Sequence, residues 1–180
     1  MITISDYSKD WPQMFSKLKS EIWPHIRQYA TSMEHVGSTS VYGLSAKPVI
    51  DIDIVIESRK LLKNVISTLE KLGYSHRGDL GIKDREAFSC RNPEFPHNLY
   101  VCIEGSTALR NHLILRDHLS KNKRDRDTYA NLKKKLAEKY TDDIDSYIEG
   151  KTEFIVSILN QYIDDKEELQ NVIEVNKAKR

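Results

Sequence analysis

Two carboxylates, Asp51 and Asp53, stand two residues apart in the β-branched run Val49-Ile50-Asp51-Ile52-Asp53-Ile54-Val55-Ile56. Twelve residues separate them from Gly37-Ser38, a turn followed by two further hydroxyl residues, Thr39 and Ser40. Acids at i and i+2 of a strand project from one face, roughly 7 Å apart, and repel unless a cation lies between them. Mg²⁺, or Mn²⁺ in its place, suits such a pair because it prefers carboxylate and phosphate oxygens. A glycine turn with free N–H groups can in turn hold phosphate oxygens. The chemistry this combination could perform is metal-assisted transfer of a nucleotidyl group, with Asp51 and Asp53 as catalytic metal ligands. Gly37, Ser38 and Thr39 would hold the phosphates.

The elements that must position these groups follow from local pattern. Lys47 to Ile56 reads as a strand, with Ile50, Ile52, Ile54 and Ile56 on one face and Val49, Asp51, Asp53 and Val55 on the other. Ser32 to Val36 reads as a shorter strand entering the Gly37 turn. Asp10 is a candidate helix cap, with Trp11, Met14, Phe15, Leu18 and Ile22 at helical spacing and an end expected near Pro24. A second helix is expected from Ser58 to Leu72, closed by Gly73. Tyr74 to Arg77, Ala87 to Arg91 and Asn98 to Glu104 complete the strands.

From Ala108 onward there is no proline and no glycine before Gly150, and apolar residues recur at helical intervals. Three helices are expected, carrying Leu109 to Leu119, Tyr129 to Tyr140, and Ile148 to Tyr162. The charged stretch 164–180 is expected to be an extended helix end or a frayed tail. The fold class is therefore α+β: a small mixed sheet flanked by helices (about 1–105) and a helical C-terminal half (about 106–163), in one domain over 1–163.

The residues His35-Val36-Gly37-Ser38-Thr39-Ser40-Val41-x-Gly43-Leu44-x-Ala46-Lys47-Pro48-Val49-Ile50-Asp51-Ile52 resemble the GrpB family of small bacterial proteins. More broadly, the spacing of Gly37-Ser38 and Asp51-x-Asp53 is similar to the signature of the polymerase-beta-like nucleotidyltransferases. Asp10-Trp11-Pro12, His97-Asn98-Leu99-Tyr100-Val101, Arg116-Asp117-His118-Leu119, Tyr129-Ala130-x-Leu132-Lys133 and Lys151-Thr152-Glu153-Phe154-Ile155 agree with the family. The resemblance covers about residues 2 to 163 and implies a nucleotidyltransferase-like fold.

Nucleotidyl transfer usually employs a third carboxylate, to hold metal or to take a proton. On the strand Asn98 to Glu104 only Glu104 is acidic, and it lies at the strand's end. Asn98 and Tyr100 occupy the place where an ordinary nucleotidyltransferase has its acid. Lys47 and Arg116 are candidate phosphate ligands, the former alternatively a partner of Asp51 or Asp53. His35, His97, Asn98, Tyr100, Glu104 and Lys151 are candidates to line the site. The runs Lys121 to Arg124 and Lys133 to Lys135 read as exposed helix surface.

Lys and Arg number 28 against 27 Asp and Glu, so there is no global basic field for nucleic acid. No apolar run is long enough to cross a membrane. Cys90 and Cys102 make no disulfide framework, which with the absence of a leader pattern suits the cytoplasm. None of His35, His97, His112 and His118 has zinc-ligand spacing to another His or Cys. P-loop, dinucleotide-fingerprint and nucleophile-elbow motifs are absent. The expected partner is an NTP or another phosphorylated small molecule, acted on by a transferase or held by a non-catalytic binding module.

Overall fold

A computed structural model describes residues 1–91 and 93–177 of the 180-residue chain. Among the described residues five strands, β1 (Ser32–Val36), β2 (Ile50–Ile56), β3 (Tyr74–His76), β4 (Arg85–Cys90) and β5 (His97–Ile103), form one mixed sheet of order β1-β2-β5-β4-β3. Only β2 and β5 run parallel; the other neighbours are antiparallel. Among the described residues six α-helices accompany them: α1 (Asp10–Ile26), α2 (Leu62–Lys71), α3 (Thr107–Lys121), α4 (Lys123–Lys139), α5 (Ile144–Leu159) and α6 (Lys166–Val175). None of the described helices is long and apolar enough to cross a membrane.

The alternation expected of β2 holds. Ile50, Ile52, Ile54 and Ile56 are all buried beneath α1 and α2, with Leu99 and Val101 of β5 beside them. Each contributes about 1.5–3 kcal/mol by leaving water, and together they fix the register that turns Asp51 and Asp53 to the opposite face. The strand begins at Ile50 rather than Lys47 because Pro48 has no N–H for a ladder and the Val49 N–H turns back to the Lys47 carbonyl.

Three further expectations are corrected. Helix α1 runs through Pro24 to Ile26; proline in the last turn removes one hydrogen bond without leaving a following helix to distort. Asp10 is its first helical residue, and the Ser8 hydroxyl accepts the Asp10 N–H. The charged C-terminal stretch forms a separate helix, α6, capped by Asp165 and docked through buried Leu169 against Leu159 and Ile163. Residues 178–180 of that stretch lie outside the described residues.

After β5, Gly105 adopts φ +75° and Ser106 caps α3, its hydroxyl accepting the Leu109 N–H. This turn sends α3 back across the carboxylate face of the sheet. Asn122 likewise caps α4. Behind α3, α4 and α5 pack together, with Tyr129 stacked on Phe154 at 4.9 Å between centroids. A cleft of about 760 Å³ remains between the sheet face and these helices.

Candidate functional site

The floor of the cleft is a row of cross-strand neighbours. Glu34 of β1 stands opposite Asp53, which stands opposite Tyr100 of β5; Val36, Asp51 and Asn98 form the adjacent row. Arg85 of β4 faces Cys102 on the same side of the sheet. Thus Glu34, Asp51, Asp53, Asn98, Tyr100, Cys102 and Arg85 share one surface.

Each acid of this floor is engaged. Asp53 is 0% exposed, and one of its oxygens accepts the His112 Nδ1–H at 2.7 Å; the other oxygen, Oδ1, is buried without a partner. Asp51 Oδ1 accepts from Asn98 Nδ2 at 2.7 Å. Glu34 accepts from Arg116 Nη1 at 3.0 Å, and Arg116 also donates to the His35 carbonyl and to Asp117. Burial opposes a charge on His112, but the Asp53 carboxylate beside it outweighs burial and raises its pKa. Burial also pushes the Asp51 carboxyl up, with Asp53 adding to the effect and Asn98, His112 and Lys151 offsetting part of it.

Gly37 shows why the turn must be glycine. Its φ is +68°, and a Cβ there would lie 2.2 Å from Asp51 Oδ2. The turn and the carboxylate are in van der Waals contact by virtue of a missing side chain. Ser38 follows as the start of a short 3₁₀ turn and lines the cleft together with Tyr129 of α4.

Three cations around the cleft rest on aromatic rings: Lys151 on the helical wall, Arg85 at the edge of the floor, and Lys133, buried within α4 and not lining the cleft. Lys133 is 2% exposed; its ammonium donates to the Ser45 carbonyl and lies 4.7 Å from the Tyr129 ring. The Lys151 ammonium is 4.3 Å from the Tyr147 ring, and the Arg85 guanidinium 4.4 Å from the Tyr100 ring. Among the described residues none of the three forms an ion pair. Burial, reinforced by the Lys151 charge, depresses Lys133 to about 7; burial and nearby Lys47 depress Lys151 to about 8, although Asp51 works the other way. Burial and the Asp51 carboxylate push the Tyr100 phenol up to about 12.

Of the candidates named from sequence, Gly37, Ser38, Asp51, Arg116 and Lys151 line the cleft, with Asp53, Asn98 and Tyr100 beneath them. Lys47 is exposed, close enough to Lys151 to depress it, and makes no ion pair with either aspartate among the described residues. Four candidates lie elsewhere. His35 is opposite Ile52, so it faces the core, where it stacks on Phe15 at 4.7 Å; burial and Arg116 hold it neutral, with a pKa of about 4. Thr39 is buried between His35 and the Val49 carbonyl. His97 is opposite Ile50 and is fixed by the Phe95 carbonyl and the Tyr74 hydroxyl. Glu104 is exposed one residue beyond β5, away from the aspartates.

Sequence reasoning missed Glu34, His112, Lys133 and Arg85. His112 carried a usable signal, since it lies four residues before Arg116 on one helix face. Lys133 did too, sharing the buried face of α4 with Tyr129 and Ala137 rather than the exposed surface expected of its lysine run.

Two carboxylates with a free buried oxygen on Asp53 suit a hard cation such as Mg²⁺, which keeps waters and substrate oxygens among its ligands. No cluster of three or more metal-ligating side chains occurs among the described residues, so a metal held by the two aspartates would need its remaining ligands from elsewhere.

A family model described as GrpB protein matches residues 1–161. UPF0157 protein BH1888 of Halalkalibacterium halodurans is 34% identical over 163 residues, 89% of this chain and 82% of that protein. The crystal structure of conserved protein GrpB from Enterococcus faecalis superposes with a TM-score of 0.79 at 28% identity, over 93% of this chain and 98% of that one. The Cid1 poly(U) polymerase, solved bound to MgATP, superposes with a TM-score of 0.58 at 12% identity, over 92% of this chain and 54% of its own. The last likeness establishes a nucleotidyltransferase-like fold.

Proposed function

The chain belongs to the GrpB family and has a nucleotidyltransferase-like fold, and from this we propose that its cleft binds a nucleoside triphosphate and transfers the NMP to an acceptor. The observation that carries the reading is the meeting of Asp51, Asp53 and the Gly37-Ser38 turn with Lys151, a cation that lacks a carboxylate partner among the described residues. Ser38 and Lys151 would grip the β- and γ-phosphates, and Lys47 at the rim would draw them in. Asp51 and Asp53 would hold Mg²⁺ or Mn²⁺, which when bound supplies charge to the reacting phosphate and its leaving group. Arg116, fixed by Glu34, positions β1 and the turn that follows it. The setting that fits is the cytoplasm, where nucleoside triphosphates are abundant.

The test is thermal. Each of the four NTPs with Mg²⁺ or Mn²⁺ is added in turn, and at least one is expected to raise Tm. In Asp51→Asn with Asp53→Asn the metal-dependent part of that rise disappears. No shift with any of the four would overturn the reading. A second reading, a binding module that has lost catalysis, is favoured by one observation: His112 already occupies Asp53, and no third acid stands on β5. Nucleotide binding without pyrophosphate release in the presence of cell extract would select it.

A further inference from the structure

Arg85 lies at the other end of the floor from the lysines, beyond Asp53. It is 9% exposed, lines the cleft, and its Nε is buried with no hydrogen-bond partner. Its neighbours across the sheet offer it a ring and a thiol, Tyr100 and Cys102, rather than a carboxylate. Asp53 does not serve it: the two form no ion pair, and the bonded oxygen of Asp53 is committed to His112. A buried guanidinium without a counter-ion costs several kcal/mol unless a ligand supplies the charge. Its planar fork fits the paired oxygens of a phosphate or carboxylate.

Resting on the reading of the cleft as a nucleotidyltransferase site, we propose that the acceptor is an oxyanion, a phosphate monoester or a carboxylate, bound by Arg85. This accounts for the absence of an acid on β5. A hydroxyl acceptor must give up a proton, for which a carboxylate base is usual; an oxyanion has none to lose. Its oxygen attacks the α-phosphorus of the NTP, the bond from that phosphorus to the bridging oxygen breaks, and the electron pair departs with pyrophosphate. The product is a phosphoanhydride from a phosphate or a mixed acyl anhydride from a carboxylate. A cation on Tyr100, where an acid would repel such an acceptor, is what this chemistry requires.

The experiment begins with the non-reacting analogue AMPCPP and Mg²⁺ at saturation, so that the lysine end is filled, followed by titration with inorganic phosphate. The wild-type protein is expected to bind one phosphate. Arg85→Gln should weaken it at least tenfold while leaving AMPCPP affinity within threefold, and Arg85→Lys should lie between them. Matching circular dichroism and Tm establish that each variant folds. Turnover is then measured with ATP and ¹⁸O-phosphate, with acetate trapped by hydroxylamine, and with glycerol as the neutral hydroxyl. Label in the β-phosphate of ADP assigns a phosphate acceptor, and hydroxamate a carboxylate. Phosphate binding that is absent, or indifferent to Arg85, overturns the proposal, as does turnover with glycerol alone. If AMPCPP fails to bind, the transferase reading falls. Phosphate titration of the free protein then decides the Arg85 site by itself, surviving Lys151→Gln and lost in Arg85→Gln if the site is real.

Discussion

The floor and the wall of the cleft hold opposite charges in opposite conditions. On the floor, Asp53, Asp51 and Glu34 each accept a hydrogen bond from His112, Asn98 or Arg116. In the helical wall, Lys133 of α4 and Lys151 of α5 face the rings of Tyr129 and Tyr147 and meet no carboxylate among the described residues. A ring face attracts a cation by about 0.5–2 kcal/mol, much less than a buried counter-ion does. The free protein thus gives each acid of the floor a hydrogen-bond donor, with Asp53 Oδ1 left over, and gives Lys133 and Lys151 no counter-ion among the described residues. Lys151 lines the cleft without a carboxylate partner among the described residues, so an anion would be drawn to it, and a metal would have to compete with His112 for one oxygen of Asp53 while the other stands free.

The largest effect should come from breaking the floor. His112→Ala leaves the Asp53 carboxylate buried and unpaired, and is expected to destabilise the protein by about 3 kcal/mol in chemical denaturation. Mg²⁺ or Mn²⁺ should recover more stability in this variant than in the wild type, because the vacated oxygen becomes available. Equal metal effects in the two proteins would show that His112 does not stand in for the cation.

The wall should respond in the other direction. Lys151→Met removes a desolvated charge and is expected to stabilise the ligand-free protein by about 1–2 kcal/mol. The same change should weaken NTP binding by about 10- to 100-fold, the worth of one charge-assisted hydrogen bond. Calorimetry and denaturation on one sample measure both. Loss of stability together with affinity would mean that Lys151 is already paired, and the contrast between wall and floor would collapse.

How much of this contrast was legible in the sequence depends on whether a residue's neighbours are local. Asp51 and Asp53 could be placed on one face of β2 because the isoleucines between them announce the other face, and Gly37-Ser38 because a turn is a local event. The helical half was legible through its period. Glu34 was not, since its place beside Asp53 depends on β1 pairing with β2 rather than with another strand. Arg85 needed the antiparallel register of β4 on β5, 17 residues apart along the ladder pair Arg85 and Cys102. Lys133 sits in a run of three lysines identical in composition, and only the 100° step of a helix separates the buried one from its exposed neighbours. His35 and His97 misled because proximity in sequence to a motif says nothing about which face of a strand a side chain takes.

A pH titration separates wall from floor without mutation. Lys133 and Lys151 are held near 7 and 8 in the folded protein, against 10.5 for an unburied lysine. Between those limits the unfolded chain binds more protons, so stability should rise with pH from about 7 toward 10, by at most about 1.4 kcal/mol per pH unit for each lysine. Lys133→Met should flatten the lower part of the rise. His112 acts with the opposite sign: its raised pKa gives stability that is complete below 6.5 and fades as pH climbs through the folded value. A stability curve that falls steadily above pH 7 would place the floor, not the wall, in control.

The smallest effect tests what depresses Lys151. Its first cause is burial, and repulsion from Lys47 is secondary. Lys47 is exposed, so Lys47→Ala should change stability by less than about 0.5 kcal/mol. Removing its charge should nevertheless move the Lys151 pKa upward from about 8, as followed by NMR of the lysine side-chain carbons, while leaving it below 10.5 because burial remains. A full return to 10.5 would mean that Lys151 is depressed by a neighbour rather than by enclosure. The wall would then be an open, solvated surface, and the free energy that an incoming phosphate gains there would be that of a surface ion pair, well under 1 kcal/mol per contact.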